Sequence, residues 1–270
     1  MNDVILPYLT VILVFAIIPA ALVFACTWWI ARRINNWSLV DVVWSYSFAL
    51  LVALALPFAT STQPGLQSYH LHGALVIAWS LRLGTHLAIR WVAHLGHEDG
   101  RYLEMTRRWG AETPRKMGIF YAQQAVATTV LMTPFLASAQ DPVPMGLVHW
   151  AGAAVVALAL LGESIADRQL AAFKADTTNR GKVCERGLWA WSRHPNYFCE
   201  WLIWVGFALL SWTPHLHAIP GAICAAAMYH LLTKVTGVAI SEEQLSRSKG
   251  AAYADYQRRV PAFWPWPPRR

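Results

Sequence analysis

Charge is what this sequence has least of. Asp, Glu, Lys and Arg together make up 14% of its 270 residues, against about a quarter in an ordinary soluble domain. That deficit excludes a conventional water-exposed surface. Cysteine is scarce too: Cys26, Cys184, Cys199 and Cys224 form no CxxC pair, so neither a disulfide framework nor a thiolate zinc site is expected. HLGHED at 94–99 contains metal-ligating residue types, but not at a zinc spacing, and no metal is expected. No GxGxxG follows a strand pattern and there is no P-loop, so any nucleotide must bind among helices rather than on a Rossmann or P-loop domain. No basic residue precedes Arg32. A secretory leader places positive charge before its apolar core, so the first apolar stretch is expected to stay as a membrane helix. The segments 60–70, 139–146 and 214–217 contain no Lys or Arg at all.

What is there is apolar and aromatic. The chain is 56% hydrophobic with fifteen Trp, and its mean hydropathy is +0.34. Seven stretches, about 5–30, 38–59, 71–93, 118–138, 147–170, 198–213 and 218–240, approach the ~20 residues that a helix needs to cross a bilayer. The Lys/Arg-free segments alternate with loops that carry Arg32 and Arg33, Arg101 to Lys116, Arg180 to Arg193 and Arg247 to Arg259. Loops obeying the positive-inside rule alternate in this way. The expectation is an all-α polytopic membrane protein, a seven-transmembrane helix bundle forming one domain over 1–270. Its N-terminus would be outside, with a cytoplasmic tail from 241 to 270 that ends in an extended Pro/Trp segment. The net charge of +7 then reads as topology and attraction to membrane lipids, not as a nucleic-acid surface.

Ionisable groups inside a span cost roughly 2.5–3.5 kcal/mol each on insertion scales, so each needs a reason. Arg82, His86, Arg90 and His94 recur every fourth residue in the third span and form one drifting stripe. Snorkelling explains Arg90 and His94. Arg82 lies near mid-span and is a candidate for function. Glu163 and Asp167 share a face of the fifth span with Lys174. Their alternative is an internal salt bridge with Arg168. Asp41, Trp44 and Tyr46 lie near the start of the second span.

SRHPNYFCE at 192–200 stands at the threshold of the sixth span. Pro195 disfavours helix before it, so a helix is expected to begin there. Free N–H groups at such an end favour anions, and Arg193 and His194 add positive charge. Asn196 and Glu200 are one turn apart, with Tyr197 beside them. Glu242 and Glu243 are placed near the end of the last span. Tyr253, Tyr256, Arg258 and Arg259 are candidates for a flap over the polar mouth, or for a solvated amphipathic tail.

FKADTTNRGKVCERGLWAWSRHPNYFCEWLIWVG resembles the C-terminal domain of the steroid 5-alpha-reductase family, in its broad bacterial branch of membrane proteins. WSLRLGTHLAIR, HEDGRYLEMTRRWG and GAAYADYQRRVPAFWPWPP extend the resemblance over roughly 37–268. The resemblance implies a seven-helix bundle in a bacterial inner membrane. It implies NADPH held from the cytoplasmic side and reduction of a C=C bond conjugated to a ketone. It places Asp167, Lys174, Lys182 and Arg101 at cofactor contacts, and Asn196 and Glu200 at the family's asparagine and glutamate. Glu243 stands where the steroid enzymes have histidine. Together with the polar cluster, the expected cofactor set is Arg101, Glu163, Asp167, Lys174, Lys182, Arg193, His194, Asn196, Tyr197, Glu243 and Tyr256. The expected catalytic set is Tyr46, Arg82 and Glu200. No Glu–Tyr pair of the kind that grips the steroid ketone aligns in the N-terminal half, which leaves the lipophilic substrate open.

Isoprenylcysteine and phospholipid methyltransferases, which bind S-adenosylmethionine, share Arg-His-Pro-x-Tyr and a late Glu-Glu, present here as SRHPNYF and SEEQL. FKADTTNRGK and the seven-span pattern favour the reductase. The methyltransferase and a non-enzymatic membrane protein stand as alternatives.

Overall fold

The computed structural model describes residues 10–59, 65–216 and 218–268. The expected start of the first span at 5–9 and the last two arginines lie outside the described residues. Among those described there is helix and no strand, with one isolated antiparallel bridge between Gln67 and Pro144. Two compact units are formed, one from Met1–Gly146 and Thr213–His217, the other from Leu147–Trp212 and Ala218–Arg270.

The first unit contains α1 (Ile18–Ile34), α2 (Leu39–Ala55), α3 (Ser68–Ala93), α4 (Gly100–Trp109) and α5 (Thr113–Gln140). Asn35 ends α1 in the left-handed region at φ 53°, a conformation Asn tolerates better than most residues. Gln67 and His70 close a reciprocal cap on α3. Asp99 caps α4 by accepting the Arg101 backbone N–H. Ala20, Phe24, Trp37, Met117 and Tyr121 form part of a buried core, and the Tyr121 hydroxyl donates to the Trp37 carbonyl at 2.8 Å. Burial makes that bond necessary, since an unpaired phenol there would be costly.

The second unit contains α6 (Leu147–Ala175), α7 (Pro195–Leu210), α8 (Ile219–His230), α9 (Gly237–Lys249) and α10 (Ala251–Arg259). A π turn, Leu231–Val235, separates α8 from α9. Glycine lets α6 and α7 touch backbone to backbone. A Cβ on Gly206 would fall 2.5 Å from Val156 Cγ2 and 2.9 Å from the Gly152 carbonyl. Small residues serve this purpose where lipid gives helices no hydrophobic reason to associate.

Four helical stretches are long and apolar enough to cross a membrane: Thr10–Ile34, Leu39–Phe58, Leu147–Ala175 and Ile219–Lys249. They correspond to the first, second, fifth and seventh expected spans. Their outward side chains are apolar, with Leu158 69% and Ile223 60% exposed, as a lipid-facing surface requires. The third and fourth expected spans are the 26-residue α3 and the 28-residue α5, both with more polar content. The sixth is α7, which has 16 residues and starts at Pro195 rather than 198. The region beyond 240 is largely helical. It forms two helices, α9 and α10, joined at Gly250 with φ 54°, a positive-φ turn suited to glycine, and the Pro/Trp segment after Arg259 is non-helical, as expected.

Candidate functional site

The second unit builds its polar site from the turn into α7. Pro195 takes the first helical position and His194 the N-cap, where proline's missing N–H costs nothing. The loop before it folds back on α6. Gln169 Oε1 accepts the Leu188 N–H at 2.9 Å, and Trp189 Nε1 donates to the Ala166 carbonyl at 3.0 Å. Asn179 Nδ2 donates to the Phe173 carbonyl at 3.1 Å. Ser192 Oγ donates to the Phe263 carbonyl and accepts the His194 N–H.

Glu242 is the hub of this region. Its carboxylate accepts Arg193 Nε at 2.9 Å and Nη2 at 2.8 Å, a two-pronged pairing. It also accepts His194 Nε2 at 2.7 Å, the Tyr253 hydroxyl at 2.6 Å and Gln257 Nε2 at 2.7 Å. Burial pulls the Arg193 pKa down, but Glu242's bonds and charge more than reverse it. Burial pushes the Tyr253 phenol up, and its bond to Glu242 pushes it further. Arg193 also donates to the carbonyls of Gln257 and Val260. Tyr256 donates to the Trp189 carbonyl. The chain after α10 is strapped on as well, by Arg193 N–H to Pro261 at 2.9 Å and Trp266 N–H to Trp191 at 2.9 Å. Arg193, His194 and Tyr256, expected as cofactor contacts, are therefore engaged in a clasp that holds the C-terminal helices to the start of α7.

Glu242 and Glu243 do not sit at a helix end. The π turn and the break at Thr236 restart the helix at Gly237, so both glutamates lie inside α9. Glu242 points into the clasp. Glu243 is exposed and pairs with Arg247. The sequence singles out both glutamates, but the expected cofactor set takes only the outward Glu243, and Gln257 is not among the expected residues. The signal available was the pairing of SEEQL with Arg-His, both already conspicuous.

In the first turn of α7, Asn196 Oδ1 is buried and accepts no hydrogen bond among the described residues. Tyr197 stacks on His194, its ring packs near Gly237, and its hydroxyl lies 3.4 Å from Ser241 Oγ. Glu200 is buried at 7% and its Oε1 accepts Trp204 Nε1 at 3.0 Å. Glu163 is buried at 5% on α6. A Cβ on Gly162 would meet Cys199 Sγ at 2.8 Å, so the two buried carboxylates flank the same close crossing in sequence. Asp167 is half-buried, and Arg168 Nε donates to the Ser164 carbonyl. Lys174 and Lys182 are exposed beyond the buried pair. The unit thus carries buried carboxylates on α6 and α7 and exposed lysines in and just after the last turn of α6.

In the first unit, Arg101 is already gripped. Its Nη2 lies 2.6 Å from Asp41 Oδ2, and its Nε 3.2 Å from Asp99 Oδ1. Burial lowers its pKa, yet the Asp41 charge leaves it raised overall. Tyr102 donates to Asp41 Oδ1 at 2.7 Å. Tyr46, half-buried, is 2.9 Å from Thr85 Oγ1, and its ring lies over Gly84, where a Cβ would come within 2.7 Å. Arg82 is half-buried on α3, while Arg90 and His94 on the same stripe are exposed. Among the described residues no group of three or more His, Cys, Asp or Glu is gathered as metal ligands.

A family model described as a protein of unknown function (DUF1295) matches residues 27–260. No curated protein and no solved structure gives a significant match.

Proposed function

The chain belongs to the DUF1295 family, and within it we propose an NADPH-dependent membrane reductase that acts on a conjugated C=C bond of a lipophilic, steroid- or isoprenoid-like substrate. The observation that carries this reading is Asn196, a buried amide oxygen with no donor among the described residues, one turn before the buried Glu200. A buried acceptor without a partner costs about 1–3 kcal/mol, and a nicotinamide carboxamide brings the N–H groups it lacks. Exposed Lys174 and Lys182 are suitable point charges for the cofactor phosphates. Arg101 is committed to Asp41 and Asp99, so phosphate binding is assigned to the lysines. The resemblance of FKADTTNRGK and SRHPNYFCE to the steroid 5-alpha-reductase family supports the same class.

When bound, NADPH would supply a hydride to the β-carbon of the enone, with a proton to the α-carbon completing the reduction. The proposal includes seven spans, an outside N-terminus and a cytoplasmic C-terminus, on the strength of the Lys/Arg-free alternate loops.

The features shared with S-adenosylmethionine-dependent methyltransferases, SRHPNYF and SEEQL, close on each other through Glu242. Their internal pairing explains them without a second cofactor. The test is thermal stabilisation of the detergent-solubilised protein by NADPH, NADH and S-adenosylmethionine in parallel. A ligand at a hundred times its Kd adds about 2.7 kcal/mol. NADPH should stabilise, and Asn196→Ala should cut that gain by roughly 1 kcal/mol without lowering the unliganded midpoint. Stabilisation by S-adenosylmethionine alone would replace the reading with the methyltransferase, and stabilisation by none of them with a non-enzymatic protein.

A further inference from the structure

A second feature lies in the first unit and is independent of the proposed reaction. A cavity of about 540 Å³ opens where α1 ends and α5 begins, lined by Arg32, Trp37, Glu98, Leu103, Thr106 and Thr113 among others. Its size is within the range of small-molecule sites. Its position follows from the sequence. Arg32 is in the last turn of α1, at the end of the apolar stretch Thr10–Ile34. Trp28 lies under Arg32 and Trp29 under Arg33, with guanidinium-to-ring distances of 5.7 Å and 5.0 Å. Interfacial Trp and terminal Arg mark the level of the lipid head groups.

Two opposite charges line this cavity without meeting. Arg32 forms no ion pair among the described residues, and its described contact is the Trp28 ring. Glu98 is fixed differently. Its carboxylate caps the entry to α2 from sixty residues away, accepting the N–H of Trp37 and of Ser38, the latter at 3.0 Å, and it accepts the Asp99 N–H at 3.1 Å. A carboxylate has about four acceptor positions, so a further donor can be taken. Backbone N–H groups hold Glu98 in place, and none of them cancels its charge.

A purely anionic ligand would meet Glu98, and a purely cationic one would meet Arg32. We propose that this cavity holds the zwitterionic head group of a membrane phospholipid carrying a phosphate and a protonated primary amine. Arg32 takes the phosphate as a charge-assisted pair, and Glu98 accepts from the ammonium. The side wall of Leu103 and Trp37 meets the adjoining glycerol and acyl carbons. A trimethylated amine keeps the charge but has no N–H to donate, and a glycerol head group has no cation, so both should bind less well.

The test is lipid retention measured by native mass spectrometry. The full chain is released from detergent after exchange into phosphatidylethanolamine, phosphatidylcholine or phosphatidylglycerol with identical acyl chains. The wild type should retain one phosphatidylethanolamine in preference to the other two. Arg32→Gln should lower that retention by at least about tenfold, the weight of one charged hydrogen-bonded contact. Arg33→Gln removes the same charge from the same helix end without touching the cavity, and should leave retention unchanged. Equal retention of the three lipids, or equal loss in the two variants, would overturn the site in favour of general surface electrostatics. Displacement by soluble glycerophosphoethanolamine at a concentration equal to the lipid's would overturn the lipid as its source.

Discussion

Glu242→Ala is the sharpest perturbation available. It removes an acceptor shared by Arg193, His194, Tyr253 and Gln257, with contacts between 2.6 and 2.9 Å. The Arg193 side chain is 10% exposed and that of Glu242 18%, so solvent screens the pair only weakly. Breaking a buried pair by deleting one partner costs about 3–5 kcal/mol, because the survivor is left charged and uncompensated. The three other donors each lose roughly 1 kcal/mol, partly recovered as water enters the gap. A net loss of about 3–5 kcal/mol is expected, on the order of 10 °C in midpoint for a unit of this size. The loss should be local as well as global, since the same arginine anchors the carbonyls of Gln257 and Val260. Intrinsic fluorescence melting and limited trypsin digestion read both effects, and cleavage after Arg258 and Arg259 should accelerate. Glu243→Ala is the control: its side chain is 61% exposed and paired one turn away, so it should cost no more than about 0.5 kcal/mol. Equal melting and equal cleavage in the two variants would refute the clasp.

Other outcomes follow from the same geometry. Gly206→Ala places a methyl group against Val156 and the Gly152 carbonyl, so it should force α6 and α7 apart and destabilise the fold by about 1–3 kcal/mol, read as a lower melting midpoint. Tyr253→Phe removes one donor to Glu242 and should cost about 1 kcal/mol at pH 8 by melting. The Tyr253 phenol is raised in the folded state. Its stabilisation is therefore whole below the unfolded tyrosine value of about 10 and is lost as pH rises above it. The wild type should melt earlier above pH ~10, and the gap between it and Tyr253→Phe should narrow there. Part of the alkaline loss should persist in the variant, because burial raises Tyr256 too. Lys174→Ala should weaken NADPH stabilisation without moving the unliganded midpoint, as its side chain is exposed.

Most of the helical framework was legible because length, apolar content and proline are local properties. Pro195 marked the start of α7, and Arg90 and His94 proved to be the exposed end of their stripe. The side-chain partnerships were not legible. The resemblance places Arg101 at a cofactor contact, and no local pattern shows that it pairs with Asp41, sixty residues away on another helix. Glu242 and Glu243 are chemically identical and adjacent, and which faces inward depends on a π turn that no simple period encodes. The segment after 240 offers, by sequence, either a flap over the polar mouth or a solvated amphipathic tail. Its helices form because Gly250 turns the chain and lets Tyr253 and Tyr256 return to the clasp.

The π turn at Leu231–Val235 also sets where this chain tolerates changes of length. A π turn carries about one residue more than an α turn, so it acts as an insertion already absorbed at that point. Each residue of α-helix turns the chain by about 100°. Losing one residue between Gly237 and Ser241 would rotate Glu242 by that angle away from Arg193 and His194, and everything from the clasp to Trp266 would lose its anchor. Losing one within the π turn has a local remedy, since the extra residue can be given up and the register below kept. Length variation among related chains should therefore collect at 231–235 and be absent from the five residues that follow Thr236.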